Sequence, residues 1–283
     1  MQAQEIVRVA ALLSRAIDQL GPDLRLEAEL LLAHALDRPR AWLYAHADNK
    51  VSGTASAVFD GLLARRVRGE PVAQLIGRQG FWSLDLRITP DVLIPRADTE
   101  LLVECALAVL PSDALIRVAD LGTGSGAIAL AIASERPLAD IVAVDSSIAA
   151  LAVAQSNAQT LGLSSRVHCV HGDWFAPLGD QRFDAIVSNP PYLAADDPHL
   201  DHGDLRHEPH AALVSGSDGL DAIRTIVIQS SSHLLPGGWL LLEHGWEQGA
   251  AVRGLLEAAG FAQVVTHRDI EARERVTCGH WRE

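Results

Sequence analysis

Three glycines within five residues constrain this chain more than any other feature. Asp120-Leu121-Gly122-Thr123-Gly124-Ser125-Gly126 follows a short apolar run, Ile116 to Ala119, and precedes a helical stretch, Ala127 to Ala133. Glycines at such a place let the backbone take positive φ and let another molecule approach it closely. The free amides at the helix start favour a polar or anionic group. Asp145 stands 19 residues after Gly126, at the end of the next apolar run, Ile141 to Val144. A carboxylate at that point can accept hydrogen bonds from both ribose hydroxyls. The loop therefore calls for an α/β sheet with a nucleoside-bearing ligand at its carboxyl edge. Because Gly122-x-Gly124-x-x-Ala127 also satisfies a relaxed dinucleotide fingerprint, the loop alone leaves NAD and S-adenosylmethionine both open. Asp120, placed to face the positive methionine end of the latter, favours S-adenosylmethionine.

The remaining periodicity agrees with such a sheet. Strands are expected at 116–119, 141–144, 167–170, 185–187, 239–242, 262–266 and 275–278, with helices at 127–133, 148–161, 220–235 and 252–259. Strands alternating with helices imply a parallel sheet covered by those helices. The last two strands lack a helix between them and are expected to pair antiparallel. Before residue 71 the pattern is helical. Ile6, Val9, Leu13, Ala16, Ile17 and Leu20 form one apolar stripe, and Leu26, Leu30, Leu31 and Ala33 to Leu36 a second. Trp42 and Leu43 start a shorter helix, and Val58, Leu62, Leu63 and Val67 mark another. Trp42 and Tyr44 are expected in the core. Residues 72 to 95 look extended, with alternation over Phe81 to Ile88, and suggest a β-hairpin linker. The expected organisation is a helical domain over 1–71, the hairpin linker over 72–95 and an α/β domain over 96–283.

A second motif closes the fourth strand of the α/β region. Phe183-Asp184-Ala185-Ile186-Val187-Ser188 runs into Asn189-Pro190-Pro191-Tyr192, about 65 residues after the glycine loop. An amide nitrogen is a poor nucleophile because its lone pair is delocalised into the carbonyl. A site that methylates it must grip the N–H groups with acceptors and leave the lone pair aimed at the methyl group. The Asn189 side-chain oxygen is one acceptor and the Pro190 carbonyl can be the other. Successive prolines fix φ and bring no competing donors. Tyr192 offers a flat face for a planar amide or base. A rigid Pro-Pro turn beside a buried tyrosine is the structural alternative, and the pairing with the glycine loop weighs against it.

Asn189-Pro190-Pro191-Tyr192 with this loop resembles the amino-methyltransferases of planar nitrogens. Arg65-Arg66, Gly69-Glu70-Pro71, Gln74, Gly77, Leu93 to Glu100 and Gly172-Asp173-Trp174-Phe175 narrow the resemblance to the PrmC/HemK family, as do Glu208-Pro209, Asp218-Gly219-Leu220 and Leu242-Glu243. The resemblance covers nearly the whole chain. It implies a Rossmann-like class I S-adenosylmethionine-dependent methyltransferase domain with a seven-stranded mixed sheet, and a small N-terminal helical bundle joined to it by a β-hairpin. It also implies methylation of a glutamine side-chain nitrogen in the Gly-Gly-Gln loop of peptide chain release factors, with S-adenosylhomocysteine as product. Carried over by position, Asp120, Gly122, Thr123, Gly124, Ser125, Gly126, Asp145, Trp174 and Asn189 would surround the cofactor, with Trp174 beside the adenine. Asn189, Pro190, Pro191 and Tyr192 would hold the substrate. Arg96, Thr99 and Glu100 could line its entrance, or Thr99 and Glu100 could simply open a helix. Where the family carries a proline, this chain has Ala97. A glutamine methyltransferase of a ribosomal protein, a nucleic-acid amino-methyltransferase and a non-catalytic cofactor-binding module are the competing readings.

Charge and composition trim these. The net charge of −13 disfavours broad binding to nucleic acid, where phosphate neutralisation supplies most of the affinity. The three cysteines, Cys105, Cys169 and Cys278, form no C-x-x-C pair, which disfavours a disulfide framework or a zinc site. Residues 194 to 210 hold four histidines among acidic residues, but the stretch shows no helical stripe and is expected as a solvated loop rather than a metal site. Glu5 and Arg8 interrupt any leader-like apolar run, and no stretch is long enough to span a membrane, so a cytoplasmic chain is expected. A monomer is the expected oligomeric state.

Overall fold

The computed structural model describes residues 7–282, so Ile6 of the first predicted stripe lies outside the described residues. The chain divides into two compact units, one formed by the residues up to Gly77 with His202–His207, the other by Arg78–Asp201 with the residues from Glu208 onward.

The first unit is helical: α1 (Val9–Leu20), α2 (Arg25–Leu36), α3 (Arg40–Ala45), α4 (Gly53–Val67) and α5 (Val72–Ile76). Its core joins Leu12 and Ala16 of α1, Leu31 and Leu32 of α2, and Phe59, Leu62 and Leu63 of α4. The buried stripes are narrower than the sequence suggests, since Leu26, Val58 and Val67 are each about half exposed. Tyr44 corrects the expectation of a core residue: its ring is exposed and its hydroxyl donates to Glu29 Oε1 at 2.6 Å. Glu29 is itself buried on α2 and also accepts from Arg25 at 2.9 Å. Burial pushes its carboxyl up, but the Tyr44 hydroxyl and the Arg25 guanidinium outweigh that and hold it below the usual carboxylate range. A buried acid thus consumed the tyrosine that apolar patterning assigned to the interior.

Residues 72–76 are a helix, not extended chain. Pro71 fits the position before a helix, where no amide donor is needed, and Gly77 ends it at φ 74°. His202–His207, expected as solvated loop, packs on this unit: Arg66 pairs with Asp204 at 3.3 Å, and the Gln74 side-chain amide donates to the His207 carbonyl at 3.1 Å.

The second unit opens with a hairpin, β1 (Arg78–Phe81) and β2 (Leu84–Arg87), shorter than the expected linker because Trp82-Ser83 turns the chain in the middle of the alternating run. Then come α6 (Glu100–Val109), β3 (Ile116–Leu121), α7 (Ala127–Glu135), β4 (Ala139–Asp145), α8 (Ile148–Thr160), β5 (Val167–His171) and β6 (Phe183–Ser188). The chain ends with α9 (Asp221–His233), β7 (Leu234–Glu243), α10 (Gly249–Ala258), β8 (Ala262–Arg268) and β9 (Glu274–His280). Seven strands form one sheet in the order β5-β4-β3-β6-β7-β9-β8. The five strands β3 to β7 pair parallel, and β9 pairs antiparallel with both β7 and β8, as the missing helix between the last two strands predicted. Strand order runs outward in both directions from β3 and β6. Those two strands therefore flank the topological switch point, where open α/β sheets bind ligands.

Asn157 of α8 joins three parts of this unit. Its side-chain nitrogen donates to the Arg87 and Ser125 carbonyls at 3.1 and 2.9 Å, and its oxygen accepts from the Arg87 amide at 2.7 Å. The hairpin and the glycine loop are thereby tied to one buried side chain. Asn157→Ala should destabilise the protein by about 1–3 kcal/mol, because buried polar groups lose their partners. Urea denaturation measures this, and an unchanged midpoint would contradict the bracing role.

Candidate functional site

The site grows from the ends of β3 and β6. Register pairs Asp120 with Val187 and Leu121 with Ser188. The Ser188 hydroxyl donates to the Leu121 carbonyl at 2.6 Å, which locks the two strand ends together. The next residue on each strand, Gly122 and Asn189, opens onto the same cleft, which encloses about 880 Å³ counted to its open mouth.

All three loop glycines hold positive φ, 73° at Gly122, 56° at Gly124 and 84° at Gly126. At Gly126 a Cβ would also stand 3.1 Å from Leu130 and 3.3 Å from Ala154, so the loop packs closely where α7 begins. The amides of Gly122 and Thr123 both donate to the Val144 carbonyl at 2.9 Å, stitching the loop to the end of β4. Asp145, the last residue of β4, accepts from the Gly124 amide and from the Ser147 amide, each at 2.8 Å. Each carboxylate oxygen thus spends one of its acceptor sites on the backbone and keeps another free. Trp174 takes φ 45°, an uncommon conformation for a bulky residue. Its ring lies over Gly122, 3.6 Å from where a Cβ would stand there.

Gly122, Gly124, Asp145, Trp174, Asn189 and Pro191 all line the cleft. Thr123, Ser125, Gly126, Pro190, Arg96 and Glu100 do not stand among its lining residues. Arg96 is paired with Glu208, whose side chain is fully buried and accepts from the Ile94 amide at 3.1 Å. Glu100 accepts from the Trp82 amide at 2.7 Å and so braces the hairpin turn. Tyr192 packs against the core cluster, and its hydroxyl is pushed far above its ordinary pKa, chiefly by burial and then by the negative charge of Glu243.

Asp120 lies beneath the loop, fully buried, rather than in the cleft wall. Its Oδ2 accepts from the Thr123 hydroxyl at 2.6 Å and the Ala129 amide at 3.3 Å, while Oδ1 has no partner. Burial lifts its carboxyl to about 7 despite those hydrogen bonds. A buried acceptor with a spare oxygen under a glycine turn fits a cation arriving above it better than it fits a sealed core.

Four residues without an assigned role in the sequence, Asp91, Val92 and Leu93 from the segment after the hairpin and Pro209, line the cleft. Thr99 accepts from the Asn189 side-chain nitrogen at 3.1 Å. Among the described residues, no metal-like group of three ligand atoms forms in the histidine-rich stretch. One does form where the fold brings Cys105 and Cys278 together with the exposed His267, all within 4.8 Å. Spacing along the chain could not reveal a pair built by α6 packing on β9.

A parallel-centred sheet with a glycine loop and an Asn-Pro-Pro-Tyr turn on either side of its switch point defines a class I methyltransferase domain. Residues 97–204 match the family model described as Methyltransferase small domain, and residues 9–77 match the PrmC N-terminal domain. A release factor glutamine methyltransferase of Xylella fastidiosa is 55% identical over 269 residues, covering 95% of this chain and 96% of the relative. One of Pseudomonas aeruginosa is 56% identical over 261 residues, covering 92% of this chain and 94% of the relative. In fold alone, the chain is similar to a T. thermophilus 16S rRNA N2 G1207 methyltransferase solved with AdoMet and guanosine, with TM-score 0.53 and 22% identity over 72% of this chain and 50% of that one. The chain belongs to the release factor glutamine methyltransferase family.

The buried Asp120 carboxyl has a pH consequence. Its folded pKa of about 7 lies above the ordinary value of 3.8, so the native state holds more protons between those values. Stability contributed by this group is present below pH 4 and is lost as pH rises to 7. Asp120→Asn cannot titrate. Its stability relative to wild type should therefore rise by more than about 1 kcal/mol between pH 4 and pH 8. Thermal melts of the ligand-free protein across that range check this, and parallel curves would refute the raised pKa.

Proposed function

We propose that this chain transfers a methyl group from S-adenosylmethionine to the side-chain amide nitrogen of a glutamine, in the Gly-Gly-Gln loop of a peptide chain release factor. The observation that carries the reading is the joint placement of Asn189 and the glycine loop in one cleft at the switch point, in a chain more than half identical to named release factor glutamine methyltransferases over nearly its whole length.

The residues fit the cofactor. Asp145 keeps an acceptor site on each oxygen for the two ribose hydroxyls. Trp174 presents a flat wall over Gly122 for the adenine, and the unpartnered Asp120 oxygen supplies negative charge beneath the loop. Bound there, the cofactor supplies an electrophilic methyl carbon on a sulfonium. Asn189 and the Pro190 carbonyl accept the two N–H groups of the glutamine amide, which orients its lone pair. Pro191 narrows the cleft beside it, and Tyr192 holds the turn to the core. Acceleration comes mainly from this positioning, because the amide is otherwise a weak nucleophile. The residues up to Gly77 form a unit of their own, for which we assign recognition of the protein substrate. The chain acts as a cytoplasmic monomer with no stable nucleic-acid partner. Its charge of −13 supports the lack of a stable nucleic-acid partner, and no described helix is long and apolar enough to cross a membrane.

Purified protein incubated with labelled S-adenosylmethionine should label a bacterial release factor, and Gln→Ala in the Gly-Gly-Gln loop should abolish the label. Equal labelling of that variant, or labelling of RNA or DNA instead, would overturn the substrate assignment. Two variants separate the roles. Asn189→Ala should lower turnover roughly 100-fold with little change in cofactor affinity. Asp145→Ala should weaken cofactor binding at least about tenfold, since a hydrogen bond to a charged group contributes about 1.5–3 kcal/mol. Calorimetry and steady-state kinetics read the two effects separately, and the opposite pattern would reverse the assignment.

A further inference from the structure

Glu243 ends β7 and is 1% exposed. Register pairs Leu242 with Ser188, so the next residue along each strand, Glu243 and Asn189, leave the sheet side by side. Nothing in the reading above uses this carboxyl, yet isolating a charge from water is costly unless something repays it. One of its oxygens, Oε2, has no hydrogen-bond partner. Around it stand the Thr99 and Tyr192 hydroxyls and the Arg275 guanidinium, with Asp98 nearby. Thr99 is also the residue that accepts from the Asn189 side-chain nitrogen at 3.1 Å.

The order of donors matters here. An asparagine amide can present its oxygen or its nitrogen to a ligand, and the choice is set by its other partners. A threonine hydroxyl both donates and accepts, so Thr99 alone cannot make that choice. An ionised carboxylate only accepts. With the Glu243 carboxylate beside it, Thr99 can turn its hydrogen to that acceptor, which leaves its lone pairs for an N–H. Only the nitrogen of Asn189 can then face Thr99, and the Asn189 oxygen faces the cleft. Were the amide reversed, it would offer N–H groups to the N–H groups of the substrate.

We propose that Glu243 is a positioning residue: acting through Thr99 it fixes the orientation of the Asn189 amide, and through the Tyr192 hydroxyl it anchors the far end of the same tetrapeptide. The proposal rests on Asn189 being the acceptor for the substrate amide. Burial raises the Glu243 carboxyl to about 7, with the Thr99 hydroxyl, Arg275 and the Tyr192 hydroxyl working against that rise, so the carboxylate form prevails at pH 8.

The test uses full-length protein at pH 8. Thr99→Val and Glu243→Gln should lower kcat for release-factor methylation roughly 100-fold while the S-adenosylmethionine Kd by calorimetry stays within about threefold. Thr99→Ser, which keeps the hydroxyl, should recover most of the rate. A kcat for Thr99→Val close to wild type would overturn the proposal, as would Thr99→Ser failing as badly as Thr99→Val with cofactor binding intact. A second readout does not depend on the substrate. The Asn189 side-chain NH2, assigned in 15N spectra by its loss in Asn189→Asp, should exchange with solvent at least about tenfold faster in Thr99→Val than in wild type. Equal exchange rates refute the orientation even if release factor is not methylated at all. If Glu243→Gln fails to fold, the threonine pair and the exchange rates still decide the matter.

Discussion

The pairing of β3 with β6 is the constraint from which the site follows. These strands are far apart in sequence, and no short turn connects them. Their register alone places Gly122 beside Asn189, and one hydrogen bond, from Ser188 Oγ to the Leu121 carbonyl, closes their ends. Slipping that register by one residue would carry every side chain of β6 to the other face of the sheet. The glycine turn and the Asn-Pro-Pro-Tyr turn would then no longer share a cleft. Everything proposed about positioning presupposes this alignment, because an amide is methylated only when its weak nucleophile is held in line.

Much of what surrounds the cleft braces it. Asn157 ties the hairpin to the glycine loop, Asp145 holds the loop by the Gly124 amide, and Glu208 holds the segment at Ile94 and Arg96. Each is a polar side chain from one element satisfying the backbone of another. Loops held this way can present carbonyls and side chains to a ligand with little freedom left to lose on binding. Arg96 and Glu100 take part in this bracing, through Glu208 and the Trp82 amide.

The parts legible in the sequence were those fixed by local chemistry. A strand–glycine–helix turn needs positive φ, and all three glycines have it. The strand ends at Asp145 and Ser188 were legible because an apolar run stops abruptly at a polar residue. The antiparallel final pair followed from the absence of a helix to carry the chain back. What failed depended on partners distant in sequence. Tyr44 was assigned to the core because nothing local announces that Glu29, fifteen residues earlier, is buried and needs its hydroxyl. The helix over 72–76 was missed because five residues between a proline and a glycine carry too little period to register. Glu243 was visible only as a letter in a longer motif, and Thr99 only as a residue that could line an entrance or open a helix, since their meeting with Asn189 is made by the sheet and by α6.

Two buried carboxyls stand behind the residues that line the cleft, Asp120 under the glycine loop and Glu243 at the end of β7, and burial lifts both to about 7. Each leaves one oxygen without a partner. A fold optimised only for stability would have little use for either, because an apolar residue of the same volume avoids the desolvation cost. Their different surroundings suggest different uses. Asp120 is satisfied by a hydroxyl and a backbone amide, groups that cannot move toward a substrate, so its remaining charge can act on a ligand only through space. Glu243 stands beside the Thr99 and Tyr192 hydroxyls and near Arg275; a hydroxyl can rotate to meet it, so its charge is transmitted as a choice of donor and acceptor. One acid would then meet a cation electrostatically, and the other would set the direction in which hydrogen bonds point.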